Sequence, residues 1–292
     1  MKIIKLFAIF FFVLSSAVFS LENTDFPFYK ELKIQGSAQG LLGFNCDYEI
    51  FNELNFSLAN LRLFDSSKNE IPYYFRLKSK SVDSLLLNYP TVTWNVSEDC
   101  NKNCSYITIE TFNSPIKKIK LKINNRRYYR AATIEGSASK DSLFNWVRFG
   151  SHLINSRKAR RGWVTINLPK VHRFNKFRIK IDNKDDKPLK INNVKLFGPV
   201  YEVLFYLNSK ETVSVYFGGS SIVAPNYDIH QLLRNKYNLK VKSVYLGKKK
   251  ANLEYKKKAE YINNKLLFIL AILTMVGFLS WLIIISRNKI DQ

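Results

Sequence analysis

Apolar and polar residues alternate over short stretches along most of the chain. In residues 116–123, Ile119, Leu121 and Ile123 alternate with lysines, so a β-strand would place the two kinds of side chain on opposite faces. Similar stretches, separated by Asn, Ser, Asp and Gly, predict strands at Phe28–Ile34, Gly40–Ile50, Leu61–Asp65, Ile71–Lys78, Leu85–Tyr89, Val92–Val96, Tyr106–Phe112, Arg130–Ser137, Trp146–His152, Trp163–Leu168, Phe177–Ile181, Ile191–Phe197, Tyr201–Leu207 and Val213–Phe217. The pattern predicts an all-β protein.

The number and spacing of these strands favour two β-sandwich, jelly-roll-like modules. We expect an N-terminal module at residues 21–114 and a second at 115–200, where alternation is strongest. An extension of strands and one short helix follows at 201–247. The helix is predicted at Asn226–Tyr237, with Asn226 or Asp228 as its N-cap.

The stretch Leu266–Ile285 is apolar and contains no charged residue. As a helix it would reach about 30 Å, the thickness of the hydrocarbon core of a bilayer. It predicts a single transmembrane helix, followed by a short cytoplasmic tail at 286–292.

The N-terminus supports export. Residues 1–20 combine Lys2 and Lys5 with an apolar run and small residues near position 20, as a signal peptide does. An uncleaved first membrane helix is the alternative. Both interpretations place residues 21–264 outside the cytoplasmic (inner) membrane, facing the periplasm or the cell surface.

The formal net charge is +23. In a cytosolic protein this charge would suggest nucleic acid, but here it is spread over strand-like segments and no nucleic-acid partner is expected. Two clusters stand out in a predicted basic stalk at 248–265, namely Lys248, Lys249, Lys250, Lys256, Lys257 and Lys258. Next to a membrane they would attract anionic lipid head groups; a merely solvated stalk is the alternative.

Three cysteines are present. The short separation of Cys100 and Cys104 favours a disulfide between them, which leaves Cys46 as a buried free thiol. The C-x-x-x-C spacing is not that of a redox motif, and no histidine lies near enough in sequence to suggest a metal site.

Three stretches carry a resemblance to known families, LRLFDSSKNEIPYYF (61–75), FRIKIDNKDDKPLKINNVKLFG (177–198) and FGGSSIVAPNYDIHQLL (217–233). With the signal peptide and the C-terminal anchor, they resemble an uncharacterised family of bacterial envelope proteins, a domain of unknown function. The middle block separately resembles galactose-binding-like, or discoidin, domains. That resemblance implies a jelly-roll sandwich that holds glycans or lipid head groups with loops at one end.

The candidate ligand-binding residues are Trp146, Arg148, Arg160, Arg161 and Trp163. Aromatic faces stack on sugar rings, and guanidinium groups clamp carboxylates or phosphates. Because both tryptophans lie in strand-like segments, core packing beside a solvated basic loop is the alternative.

A weaker candidate is a calcium site at Asp182, Asp185 and Asp186, whose carboxylates could supply oxygen ligands. A plain turn is favoured, because Asn, Asp and Pro are turn-forming residues and lysines interrupt the cluster.

No catalytic, phosphate-binding or dinucleotide motif is present, no cofactor is expected, and Gly218-Gly219-Ser220-Ser221 does not match a nucleophile elbow. The leading hypothesis is a non-enzymatic binding or accessory subunit for an envelope glycan, a lipid surface or a polytopic membrane protein. The alternative is a glycan hydrolase that uses two of the available carboxylates, which are Glu31, Asp65, Glu70, Glu110, Glu135 and Asp228.

Overall fold

The computed structural model of the chain describes residues 21–34, 39–55, 57–79, 85–90, 93–99, 103–139, 145–208, 211–219, 222–234, 236, 238–257, 269, 272–278 and 280. The chain divides into two units, residues 1–255 and 256–292. The predicted signal peptide lies outside the described residues and stays a prediction.

The described part of the first unit consists mainly of β-strands, which confirms the all-β prediction, and its strands form four sheets. A six-stranded sheet contains β1 (Phe28–Lys33), β3 (Leu61–Phe64), β4 (Glu70–Ile71), β16 (Ser214–Phe217), β18 (Tyr245–Leu246) and β19 (Lys250–Ala251). A four-stranded sheet has the order β17-β2-β15-β5 and contains β2 (Gly40–Asn45), β5 (Tyr73–Leu77), β15 (Tyr201–Leu207) and β17 (Lys242–Ser243).

Two further sheets contribute buried side chains to one hydrophobic cluster. The five-stranded sheet has the order β11-β10-β13-β8-β7 and contains β7 (Trp94–Asp99), β8 (Cys104–Glu110), β10 (Tyr129–Ser137), β11 (Val147–Asn155) and β13 (Lys176–Asp182). The other, which we call the basic sheet, has the order β12-β9-β14-β6 and contains β6 (Leu86–Tyr89), β9 (Pro115–Ile123), β12 (Trp163–Arg173) and β14 (Ile191–Pro199).

Alternation along the strands determines which face is buried. On β13, Phe177 and Ile179 are fully buried whereas Arg178 between them is not, and on β9 the same holds for Ile119 and Leu121. These apolar side chains belong to one hydrophobic cluster. The five-stranded sheet and the basic sheet therefore share a core, and their polar faces point away from it.

Strand pairing crosses the predicted module boundaries. β6 pairs with β14 and β8 pairs with β13, so strands that precede residue 115 complete the sheets of the middle region. β15 pairs with β2 and β5, and β16 pairs with β1 and β3, so strands that follow residue 200 complete the N-terminal sheets. Alternation identifies a strand but not its partner, which is why the sequence suggested contiguous modules.

The helices differ from the expectation. The strand predicted at Gly40–Ile50 ends at Asn45, and helix α1 (Tyr48–Glu53) follows because the Asp47 side chain accepts a hydrogen bond from the Ile50 amide at 3.0 Å. The helix predicted at Asn226–Tyr237 is much shorter, since α2 covers only Ile229–Leu233 and the backbone of Arg234 turns away from helical geometry.

The free thiol of Cys46 lies just after β2. The residue is 1% exposed, and burial raises the pKa of its thiol well above the ordinary range. The expectation of a buried free cysteine at this position is confirmed.

The second unit is described at residues 256, 257, 269, 272–278 and 280, of which 269, 272–278 and 280 are helical. Its described apolar side chains are exposed, among them Ile272, Leu273, Met275, Val276 and Phe278. Within the described residues, no helix has the length and apolar character needed to cross a bilayer. Much of Leu266–Ile285 lies outside those residues, so the transmembrane helix stays a prediction.

Candidate functional site

The structure divides the predicted ligand-binding cluster between two sheets. Trp146 directly precedes β11 and Arg148 lies in β11, on the five-stranded sheet, whereas Arg160 and Arg161 lie on the turn before β12 and Trp163 begins β12, on the basic sheet. Neither tryptophan belongs to the buried core, and both are half-buried. Four of the five residues therefore line two separate surface sites, Trp146 in one and Arg160, Arg161 and Trp163 in the other, and Arg148 lines neither.

The first site is a groove on the outer face of the five-stranded sheet, and Arg178 lies at its centre. The Arg178 guanidinium carbon is 4.3 Å from the ring centroid of Trp146 and 4.8 Å from that of Tyr106. Its Nε and Nη2 atoms both contact Oε2 of Glu135 at 2.7 Å. A stacked, ion-paired guanidinium is held in one orientation, so the aromatic rings beside it are fixed as well.

Hydrogen-bonding groups complete this site, which we call the aromatic groove. It has a volume of about 450 Å³ and is lined by Thr93, Trp94, Asn95, Ser97, Tyr106, Thr108, Glu110, Trp146, Lys176 and Arg178. The pKa of Glu110 is lowered, first by a hydrogen bond from the Thr93 hydroxyl at 2.8 Å and then by Lys176 at 3.3 Å. Arg148 is exposed; it lies opposite Glu135 in the strand register and donates to the Ser151 hydroxyl at 2.8 Å.

The second site is a shallow surface on the basic sheet, which we call the basic platform. It has a volume of about 580 Å³ and is lined by Lys120, Lys158, Arg160, Arg161, Trp163, Thr165, Lys195 and Phe197. Lys195 Nζ lies 5.2 Å from the Trp163 ring centroid, and Lys120 Nζ lies 5.1 Å from that of Phe197. The platform thus combines cationic groups with two aromatic rings.

A tight turn presents the two arginines of the basic platform. The backbone groups of Arg160 and Trp163 bond each other in both directions, at 3.0 and 3.1 Å. Arg161 and Gly162 occupy the left-handed region between them, with φ of +52° and +76°. Arg160 and Arg161 are therefore fixed at the edge of β12 as exposed residues.

The first lysine cluster is part of the folded unit and not of a free stalk. Lys250 lies in β19 and pairs with Glu31 at 2.7 Å, and Lys249 pairs with Glu53 at 2.7 Å while lying 3.7 Å above the Phe28 ring. The basic stalk expected from residue 248 onward is wrong over this stretch, because backbone pairing with β1 orders it. Lys248, Lys256 and Lys257 are exposed, and Lys258 lies outside the described residues.

Cys104 is disulfide-bonded. Its expected partner, Cys100, lies outside the described residues, so the pairing itself stays a prediction.

Asp182, Asp185 and Asp186 form a turn. Asp182 accepts a hydrogen bond from the Lys184 amide at 3.0 Å, and Asp186 pairs with Arg130 at 2.5 Å. In the described part of the chain, no group of three or more His, Cys, Asp or Glu side chains could hold a metal ion.

The candidate catalytic carboxylates serve structural contacts. Four of the six form ion pairs, which are Glu31 with Lys250, Glu70 with Arg62, Glu110 with Lys176 and Glu135 with Arg178. Asp65 accepts hydrogen bonds from Asn69. Asp228 occupies the N-cap position of α2, but its side chain makes no capping hydrogen bond there.

Several site residues were missed in the sequence. Arg178, Tyr106 and Lys195 lie in predicted strands, and Lys120 lies on the polar face of one, but the sequence marks none of them as a site residue. Alternation did place these side chains on outer faces. What it could not provide was the register that brings Arg178 against Glu135 and Lys120 against Lys195.

Comparisons with known proteins add likenesses at low similarity. No protein-family model matches the chain, and no curated protein matches it. Similar solved structures include the CBM32 of AlyQ in complex with 4,5-unsaturated mannuronic acid (14% identity, 38% of this chain and 97% of that chain, TM-score 0.29). They also include CBM32-3 from a family 31 glycoside hydrolase of Clostridium perfringens (12% identity, 56% of this chain and 96% of that chain, TM-score 0.24). A third is chitosan-binding module 1 from a chitosanase/glucanase of Paenibacillus sp. IK-5 (10% identity, 46% of this chain and 93% of that chain, TM-score 0.21). At such scores these likenesses transfer neither ligand nor site, so any function is argued from the two surfaces.

Proposed function

We propose that the protein is a non-enzymatic glycan-binding protein whose aromatic groove holds uncharged pyranose rings. The observation that carries the proposal is the fixed stack of Trp146, Arg178 and Tyr106 on an outer sheet face. Aromatic rings in a preformed site bind the apolar face of a ligand at little entropic cost. The hydroxyl and amide groups of Asn95, Ser97 and Thr108 supply donors and acceptors for sugar hydroxyls.

The charges in the aromatic groove favour binding over hydrolysis. A glycosidase needs one protonated carboxyl group with a raised pKa as general acid, facing a second carboxylate. Glu110 has a lowered pKa, and Glu135 is engaged by two guanidinium nitrogens of Arg178. Among the described residues that line the groove, Glu110 is the only carboxylic acid, and its pKa is shifted in the direction opposite to the one that a general acid requires.

The proposal places this binding unit outside the inner membrane, anchored by the predicted helix at Leu266–Ile285. Two observations support that location. Cys104 is disulfide-bonded, as in proteins of oxidising compartments. The described helical residues 272–278 expose apolar side chains, which lipid would cover.

The test is binding of neutral oligosaccharides by the full chain in a mild non-ionic detergent. Gluco-, galacto- and N-acetylglucosamine oligomers are titrated against the native protein and against Trp146→Ala. We expect the variant to lose about tenfold or more in affinity, because a preformed stacking surface disappears. Arg178→Lys should lose part of it, because lysine keeps the charge but not the planar stack.

The matched control is Trp163→Ala, which removes the same side chain from the other sheet and should bind neutral oligosaccharides as the native protein does. Circular dichroism melts verify that each variant folds. Equal losses in both tryptophan variants would contradict the proposal. Release of reducing sugar by the native chain, abolished in Glu110→Gln, would establish the hydrolase alternative instead.

A further inference from the structure

The basic sheet carries an unusual distribution of charge. All residues of its four strands are described, and none is Asp or Glu, whereas β9 alone contains Lys117, Lys118, Lys120 and Lys122. The turn that precedes β12, residues 156–162, contains no acidic residue and adds four cationic ones, Arg157, Lys158, Arg160 and Arg161. The platform that these elements form is lined by five cationic side chains and no carboxylate.

Strand register makes this distribution costly for the isolated protein. Lys195 on β14 lies directly opposite Lys120 on the central strand β9, and Thr165 lies on the other side of Lys120. Like charges directly opposite each other destabilise a sheet. Because none of the residues lining the platform provides a counter-charge, an external anion is the natural means of neutralising this pair.

The cations form a row, which suits an extended polyanion better than a single ion. Lys118, Lys120 and Lys122 point outward at every second residue, so they are spaced by about 7 Å along β9. Lys195 lies to one side of this row, and Arg160 and Arg161 lie at its end, on the turn before β12. A linear polymer that bears regularly spaced anionic groups matches such a row.

The aromatic residues select among polyanions. Trp163 and Phe197 lie half-buried between the cations, where they offer ring faces at the level of the sheet. Flat rings among cations suit a carboxylated or sulfated pyranose, which has both an apolar face and a charge. The disulfide at Cys104 indicates an oxidising compartment, which disfavours nucleic acid as the partner.

We infer that the basic platform is a second binding site, separate from the aromatic groove, and that it takes a linear acidic polysaccharide. The polymer lies along β9, with its anionic groups against Lys120, Lys195 and Arg160 and a pyranose ring at Trp163. This site stands independently of the proposed function, because it lies on another sheet and uses other residues.

The experiment uses polygalacturonate as the probe and its fully methyl-esterified form as a matched neutral polymer. The full chain in non-ionic detergent should bind polygalacturonate, lose affinity as salt is raised, and bind the ester at least about tenfold more weakly, because exposed ionic contacts are screened by salt and need the charge. Binding of both polymers with equal affinity would overturn the inference.

The decisive variant is Lys120→Gln/Lys158→Gln/Lys195→Gln. We expect it to bind polygalacturonate about tenfold more weakly, since three charge contacts, two of them exposed and that of Lys120 half-buried, are lost together. The control, Lys33→Gln/Lys187→Gln/Lys240→Gln, removes the same net charge from exposed positions outside the platform and should change affinity less than about twofold. Lys195→Glu is a second variant, which reverses one platform charge. It should weaken the binding of polygalacturonate further than Lys195→Gln does.

Three further outcomes would contradict the inference. Equal losses in the platform and control triples would show attraction by net charge alone. Tighter binding of duplex DNA than of polygalacturonate, sensitive to the same lysines, would assign the platform to nucleic acid. Binding of phosphatidylserine vesicles in place of the polymer would assign it to a lipid surface. Neutral-oligosaccharide binding at Trp146 is measured on the same variants, so failure at one site is distinguishable from failure at the other.

Discussion

The His172 side chain is closely packed but leaves one buried nitrogen without a hydrogen bond to any described residue. Its ring centroid lies 4.0 Å from that of Phe149 and 5.8 Å from that of Phe174, so the imidazole belongs to an aromatic stack. Among the described atoms, its buried Nε2 has no hydrogen-bond partner. Burial lowers the pKa of His172, and Lys170 and Lys117 lower it further.

This histidine makes stability depend on pH. Because the folded pKa lies below the unfolded value of about 6.5, the unfolded chain binds more protons between the two values. His172 therefore costs no stability above about pH 6.5, and its penalty grows as the pH falls through the folded pKa. We expect His172→Phe, which keeps the stack and cannot be protonated, to lose less stability than the native protein between about pH 7.5 and about pH 5. Urea melts at the two pH values measure this difference, and equal pH dependence in both proteins would contradict the assignment.

Residue-scale features were partly predictable. In the segment that begins at Trp163, the apolar residues Val164, Ile166 and Leu168 are buried. Alternation therefore places Trp163 on the outer face, against the packing alternative. For Trp146 the sequence offered no such signal, because it precedes β11 and its contact with Arg178 depends on strand order.

At the level of elements, the close approach of β14 to the start of β9 depends on one glycine. A Cβ atom built on Gly198 would lie 1.6 Å from the carbonyl oxygen of Pro115 and 2.9 Å from Cε2 of Tyr89. The first of these atoms belongs to the backbone and cannot rotate away. Only glycine fits where the strands of the basic sheet come together at this point.

Gly198→Ala should lower the free energy of unfolding by about 3 kcal/mol, because the sheet must separate locally to admit one methyl group. The matched control is Gly150→Ala on β11, where the nearest atom to the added Cβ lies 3.8 Å away. We expect that variant to change stability by less than about 0.5 kcal/mol. Guanidinium unfolding monitored by tryptophan fluorescence compares the two, and similar losses would refute the packing argument.

Element type was more predictable than element partnership. Most strands lie close to their predicted positions because alternation is a local property of the sequence. Helix α1 was missed because the apolar pattern of β2 continues past Asp47 and so predicts a strand up to Ile50. The Asp47 side chain caps the helix instead and ends the strand before it. The pairing of β6 with β14 and of β16 with β1 joins residues far apart in sequence, and no local pattern encodes it.

At the scale of the whole molecule, the segment before residue 255 closes the N-terminal region. The Asn252 side chain donates to the carbonyl oxygens of Asn23 and Phe26 at 2.9 and 2.8 Å, and its amide donates to Pro27 at 2.8 Å. Lys68 and Glu254 add an ion pair at 2.9 Å, which is exposed and contributes little. Residues 23–27 and the end of the first unit are thus tied together.

Asn252→Ala should destabilise the first unit by about 1–3 kcal/mol, because the Phe26 carbonyl loses the Asn252 donor and the Asn23 carbonyl keeps only the bond from the Phe26 amide. Asn192→Ala, an exposed asparagine of β14, is the control and should be near neutral. Differential scanning fluorimetry of the full chain gives the two melting temperatures. If both variants had the melting temperature of the native protein, the Asn252 hydrogen bonds would not contribute to the stability of the first unit.

The buried thiol of Cys46 has a consequence for how the chain matures. A protonated, inaccessible thiol cannot attack a disulfide, so the folded protein keeps the bond at Cys104 from rearranging. That protection exists only after β2 and β15 have come together, and these strands lie more than 150 residues apart. In a chain that is synthesised from its N-terminus, Cys46 therefore stays accessible until residues 201–207 have been made and can pair with β2. The thiol nearest the start of the described chain thus depends for its protection on one of the last strands to be made.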